Sequence, residues 1–368
     1  MKQIFPRGVA TGEAFYDRVE ERKKLKKTLE RGVHSVLIAP RRFGKTSLMA
    51  QVLAENHYPH VWIDFMTITS VADVEQKFFQ KISELVLKIA PTEEKLKLLA
   101  LKSFALLSPE VVLGVEGCKL VLKPTLSSKQ NMLEVLLGLD RLASLTKTRV
   151  VIVCDEFQEI VRIDQDATLQ AAIRHAAERA QSVSYLFSGS KHRPLRRLFS
   201  GKENPLYELC DIVNLERVSR EDYEEYLNKA AKKEWGHPLS KAVLERVFYH
   251  TEYYPKYINA LCDMLWSSGL APTRELVDML WDSYMLSRKT NVTDELNGLT
   301  LNQIRMVQFL CISPTSEPYG RKFLTDTGLS QGGVQSGLEI LLDRDLIIQQ
   351  EGVYQVIDPA IKYYFSRF

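Results

Sequence analysis

Residues 36–48 read VLIAPRRFGKTSL, and this stretch decides the fold. The run SVLIA, residues 35–39, is short, aliphatic and closed by Pro40, which marks a buried strand rather than a helix. Gly44, Lys45 and Thr46 then open a helical pattern over 46–56. A strand feeding a loop that opens a helix turns backbone N–H groups toward an anion at the helix N-terminus. Lys45 is expected to reach β- and γ-phosphate oxygens, and the Thr46 hydroxyl to hold Mg²⁺. The departure from G-x-x-x-x-G-K-[ST] is Ala39 in place of the first glycine, which a small residue can fill if its φ is negative. The expected phosphate-binding set is Ala39, Pro40, Arg41, Arg42, Phe43, Gly44, Lys45, Thr46 and Ser47, with Lys45 also serving catalysis.

Two further strands carry chemistry. RVVIVC, residues 149–154, is the strongest strand pattern in the chain and delivers Asp155 and Glu156 to its C-terminal end. In an open α/β sheet that edge is where ligands bind. Asp155 is the candidate metal ligand beside Thr46, and Glu156 the candidate base that orients the attacking water. VSYLF, residues 183–187, runs into Ser188-Gly189-Ser190 and then Lys191, His192, Arg193, Arg196 and Arg197. Ser188 or Ser190 would bond the water or the γ-phosphate, and an arginine would neutralise phosphate charge. Ser190 and Arg193 are carried as the catalytic candidates. The alternative is a turn followed by a solvated basic helix.

Working outward, VWIDF (61–65) reads as another buried strand, and helices are expected over 16–29, 73–89, 133–145 and 168–180. Strands separated by helices of this length imply a parallel sheet. VVLGVEGCKLVLKP (111–124) permits a hairpin. After about residue 215 helical patterns dominate, at 220–233, 241–250, 257–266 and 274–287. From 300 the order is helix, short helix (320–327), helix (331–344) and a hairpin around Glu351-Gly352, the winged-helix pattern. The expectation is an α/β protein: a P-loop sheet domain over 1–215, a helical lid over 216–290 and a winged helix over 291–368.

Composition sets the outer limits. Hydrophobic residues at 45% and charged residues at 26% exclude disorder as the main state. A net charge of +3 is too balanced to announce a nucleic-acid binder, so any basic site is local. No run approaches a membrane span, and MKQIFPRGVATGEAF lacks the apolar core of a secretory signal, so a cytoplasmic protein is expected. The five cysteines form no CxxC pair, which argues against zinc and disulfides. His34, His57 and His60 have no metal-ligand spacing, Asp64 reads as a strand-end cap, and Trp235, Trp266 and Trp281 read as packing residues.

Several motifs together resemble the archaeal-type ATPase family, a STAND branch of the AAA+ ATPases. They are Phe15-Tyr16-Asp17-Arg18 with Glu21, APRRFGKTSL, VIVCDEFQEI, YLFSGSKHR and TEYYPKYIN (251–259). The resemblance implies ATP/ADP and Mg²⁺ as cofactors, Walker A and Walker B roles for the two loops, and a lid followed by a winged helix. It also implies that Phe15, Arg18 and Pro255 lie beside the nucleotide. Read from the residues alone, Arg18 is a surface residue. Tyr253 stands where the family has a glycine, two residues before Pro255.

The function expected is an ATP-hydrolysing switch: ATP closes the lid, and the tail relays the change to an unidentified protein partner. The alternatives are an origin-recognition-like DNA-binding ATPase and a non-hydrolysing nucleotide-dependent scaffold, the latter opposed by the intact Lys45, Thr46, Asp155 and Glu156. DNA is not favoured. From residue 295 onward six basic residues face eight acidic ones, a net −2. The segment 349–355 has no Lys or Arg, and duplex affinity rests largely on those.

Overall fold

A computed structural model describes all residues except 1–3, 17, 91, 115, 116, 191 and 368. Asp17 and Lys191 of the motifs above therefore lie outside the described residues. The chain forms two compact units. One comprises Arg18–Ala39 and Lys45–Leu215; the other comprises Met1–Asp17, Pro40–Gly44 and Glu216–Phe368.

The first unit is built on a five-stranded sheet of β1 (Ser35–Ile38), β2 (His60–Asp64), β5 (Val150–Asp155), β6 (Val183–Gly189) and β7 (Asp211–Asn214). Between β2 and β5 the chain makes a separate antiparallel pair, β3 (Glu110–Gly114) and β4 (Gly117–Val121), where the sequence permits a hairpin. The sheet order is β2-β5-β6-β1-β7, and every neighbouring pair is parallel. The three inner strands are buried at every position, which is why they read as continuous apolar runs. The edge strands β2 and β7 are exposed at both ends. β7 was not anticipated: DIVN is four residues long with polar ends, and its pairing with β1 is a tertiary event.

Helices follow the expected periodicity. In Val71–Ile89 the residues Val74, Phe78, Ile82 and Leu85 are all buried, and the Ser70 hydroxyl caps the start by accepting from Asp73 N. One core spans these helix residues and the apolar side chains of β2, β5 and β6. Phe157 sits in it just past β5, its ring 5.1 Å from Phe65 and 4.7 Å from Phe187. Truncating so buried a ring to alanine costs about 3–5 kcal/mol, so Phe157 anchors the chain where β5 ends.

The second unit carries the helices Arg220–Trp235, Lys241–Thr251, Pro255–Ser267 and Arg274–Ser287, then an unanticipated Lys289–Leu296. Next come Leu301–Ile312, Arg321–Thr327, Gln331–Asp343, and the antiparallel strands β8 (Ile347–Gln350) and β9 (Val353–Val356). Thr315 bridges to Tyr354, and a closing helix, Pro359–Arg367, was also unanticipated. Trp235 and Trp266 pack with ring centres 4.6 Å apart, and Phe5 lies 4.7 Å from Trp266. Trp281 is buried against His250.

No helix among the described residues is long and apolar enough to cross a membrane.

Candidate functional site

Parallel pairing brings the C-terminal ends of the strands to one edge. Asp64 pairs with Asp155, and Ile38 with both Gly189 and Asn214. Asp64 is spent locally, as expected: its carboxylate accepts from Met66 N at 2.9 Å and caps a short turn.

Asp155 is the centre of one network. Its Oδ1 accepts from the Ser188 hydroxyl and from Glu156 N at 3.1 Å, and its Oδ2 accepts from the Thr46 hydroxyl at 3.3 Å. Burial pushes the Asp155 carboxyl up, with the Glu156 charge adding to it, while the Ser188 bond and Lys45 pull the other way. An oxygen-rich pair of Asp155 and Thr46 suits a hard divalent cation such as Mg²⁺. No group of three or more His, Cys, Asp or Glu side chains that could hold a metal occurs among the described residues.

Glu156 is the centre of a second network. Its Oε2 accepts from the Ser190 hydroxyl at 2.6 Å, from Ser190 N at 3.2 Å and from Gln158 Nε2 at 2.7 Å. The residue has φ +53°, a left-handed conformation, and is followed at once by the buried Phe157. The structure thus joins Glu156 to Ser190 and Asp155 to Ser188, so both serines of SGS are engaged. Gln158 was not a sequence candidate, although it lies within the DEFQ motif. Gly189 explains its own identity: a Cβ there would meet Gln158 Oε1 at 1.9 Å.

Lys45, buried, donates to the carbonyl of Ala39 at 2.7 Å. Ala39 itself is not among the residues of positive φ, which meets the condition for alanine at the first loop position. Arg42 and Gly44 do have positive φ, +72° and +83°.

The loop residues Pro40–Gly44 group with the second unit. There the Arg42 guanidinium forms ion pairs with Asp358 and, at 3.2 Å, with Glu295, and donates to Tyr257 Oη at 3.1 Å. Burial opposes its charge, but Tyr257 and Glu295 more than offset that, leaving its pKa above the ordinary value. Phe43 is buried edge-on to Tyr254, 5.1 Å away. Pro255 opens the helix Pro255–Ser267. The adjacent Lys256 is pulled down to about 8 by burial, with Arg42 and Arg288 contributing. Nothing local in the sequence pairs Arg42 with Asp358, since more than 300 positions separate them.

Arg18 requires a correction. It is 3% exposed rather than a surface residue, with φ +59°, and its guanidinium pairs with Glu21 at 3.1 Å. Phe15 is buried too. Arg193 lies at the start of the helix His192–Ser200, while Arg196 is bonded to Asn214 at 2.7 Å. His34 is structural: its ring bonds the Ala177 carbonyl at 2.9 Å and accepts from Tyr185 N.

No protein-family model and no curated protein matches the chain. Solved structures do. A Walker-type ATPase of Pyrococcus abyssi aligns with a TM-score of 0.72 at 18% identity, covering 99% of this chain and 99% of that one. The fold is that of the P-loop AAA+ ATPases. The ORC2 protein of Aeropyrum pernix, in its ADPNP–ADP complexes, gives 0.58 at 12% identity and covers 99% of this chain and 96% of its own. At such identities these AAA+ likenesses are likenesses of fold.

Proposed function

We propose that the protein is an ATP-binding and ATP-hydrolysing switch of the STAND type, with Mg²⁺ as its metal. One observation carries this: two carboxylates at the end of β5 are held in different networks suited to different tasks. Asp155, bonded to the Thr46 hydroxyl, is the metal-side group. Glu156, fixed by Ser190 and Gln158, is the group that orients the attacking water. Lys45, Thr46 and the backbone of 39–47 bind the phosphates, Arg193 is the candidate for offsetting phosphate charge, and Phe15, Arg18 and Pro255 are the candidates for the nucleoside side. The ORC2 protein's ADPNP–ADP complexes support an adenine nucleotide as the ligand.

In this reading residues 1–215, 216–290 and 291–368 are the ATPase, lid and winged-helix domains, and the last relays the nucleotide state to a protein partner. The tail's charge favours a protein over DNA. Of its six basic residues, Lys362 pairs with Glu252 at 2.8 Å and Arg367 with Asp282 at 3.1 Å, so two are already neutralised by carboxylates.

Lys45→Ala is expected to abolish ATP and ADP binding in calorimetry. Glu156→Gln is expected to bind ATP normally and to hydrolyse it about 10²-fold more slowly or worse in single turnover. Wild-type behaviour of both variants would overturn the site assignment.

A further inference from the structure

Arg42 is an unusual residue for its place. Within the loop, Arg42 and Gly44 have positive φ and Phe43 between them does not. Left-handed residues set beside residues of negative φ can turn successive N–H groups inward and make a concave anion-binding nest. Glycine adopts the left-handed half freely, and Gly44 supplies it at one position. Arginine does not: a left-handed non-glycine residue is disfavoured by an amount equal to about a fivefold to thirtyfold change in an equilibrium constant. Something must hold the Arg42 backbone there.

The side chain shows what does. Three groups converge on the guanidinium: Asp358, Glu295 and the Tyr257 hydroxyl. They come from three separate elements of the second unit, the start of Pro359–Arg367, the helix Lys289–Leu296 and the helix Pro255–Ser267. Asp358 is itself fixed, accepting from the Tyr257 hydroxyl and from Ala360 N at 2.9 Å. The Arg42 side chain is 19% exposed and that of Asp358 10%. Charge-assisted contacts between partners this well held define the geometry of both ends.

We infer that Asp358, supported by Glu295, is a positioning residue for nucleotide binding: by gripping the Arg42 side chain it keeps the phosphate loop in its anion-nest backbone. This deepens the proposed function and rests on reading residues 39–47 as a nucleotide phosphate loop. It assigns a role to the chain's C-terminal Asp358-Pro359 step that no motif in the sequence suggested. It also makes the tail a determinant of nucleotide affinity, acting through Arg42 rather than by touching the phosphates.

The test is a double-mutant cycle on the full chain, read by calorimetric MgATP and MgADP affinity, with thermal melting to verify folding. Asp358→Asn keeps an oxygen for Ala360 N and Tyr257, and replaces the charged acceptor that faces Arg42 with an amide NH2 that cannot accept from it. It is expected to weaken binding about fivefold to tenfold, and Glu295→Gln less. Arg42→Gly removes the need for a grip, because glycine holds the left-handed backbone unaided. In that background Asp358→Asn is expected to change affinity less than about twofold. Unchanged affinity in the single Asp358→Asn variant, tighter binding, or an equal loss in both backgrounds would overturn the positioning role. A wild-type chain that binds neither nucleotide would instead overturn the nucleotide reading on which the role depends. Should Asp358→Asn melt early, Glu295→Gln against Arg42→Gly closes the same cycle.

Discussion

At the scale of the single residue, Lys256 shows how the second unit tolerates a crowded positive corner. Its ammonium is partly buried near Arg42 and Arg288, and its pKa falls to about 8 from an ordinary 10.5. Between those values the unfolded chain binds more protons than the folded one, so stability rises with pH across that window. Below pH 8 the lysine is charged where charge is unfavourable. Lys256→Met is therefore expected to melt higher than wild type at pH 7, with the advantage shrinking toward pH 10. A melting series from pH 7 to 10 checks this, and a constant difference would contradict it. Asp155 follows the same logic with the opposite sign of charge. Its carboxyl is pushed up by burial, so ionisation at neutral pH costs stability that a bound cation would restore. Asp155→Asn is expected to melt higher than wild type without ligand, and to gain nothing from Mg²⁺ over ATP alone. Melting without ligand, with ATP, and with ATP and Mg²⁺ reads both effects.

At the scale of the element, the turn between the helices Lys241–Thr251 and Pro255–Ser267 explains a departure from the family pattern. Glu252 and Tyr253 both have positive φ, +46° and +61°. A glycine suits that backbone, and the resemblance places one at 253. Here other contacts hold it: Tyr253 stacks on Phe248 at 5.0 Å, and Glu252 is bonded by Arg217 and Lys362. Left-handed strain and an aromatic pair are each worth about 1 kcal/mol, so they nearly cancel. Tyr253→Gly is expected to leave the melting temperature within about 3 °C, while Tyr253→Gly with Phe248→Ala loses far more through the cavity. Legibility follows the same division between local and distant causes. β1, β5 and β6 were readable because burial on both faces writes an unbroken apolar run. The helices were readable because each buries a stripe, as Val74, Phe78, Ile82 and Leu85 do. β7 was not, because its position is decided by pairing with β1. Thr46, Asp155 and Glu156 were legible from spacing along two strands. The buried Arg18 and Asp358 reaching Arg42 were not, because those depend on which distant elements meet; Gln158 was missed because its bond to Glu156, two residues away, depends on the turn that follows β5.

At the scale of the whole molecule, the phosphate-loop segment Pro40–Gly44 belongs to one compact unit while β1 and the helix Lys45–Glu55, which flank it, belong to the other. The loop is thus a covalent tie made of five residues, entered through Ala39 and left through Lys45. The distribution of tryptophan across the same division has an optical consequence. Of the chain's four tryptophans, Trp235, Trp266 and Trp281 lie in the C-terminal unit, and Trp62 is in the sheet. Three of the four indoles therefore report on the C-terminal unit, and Trp62, paired with Val153 in the sheet, reports on the other. In a urea titration followed at once by emission and by far-ultraviolet dichroism, the emission is expected to track chiefly the C-terminal unit, with Trp62 adding a smaller share from the sheet. If the two units lose structure at different denaturant concentrations, the dichroism will show a step that is much weaker in the fluorescence. Coincident curves would mean that both units lose structure as one. The protein's own dye is weighted three to one toward one side, and a tryptophan placed at Phe157 would brighten the other.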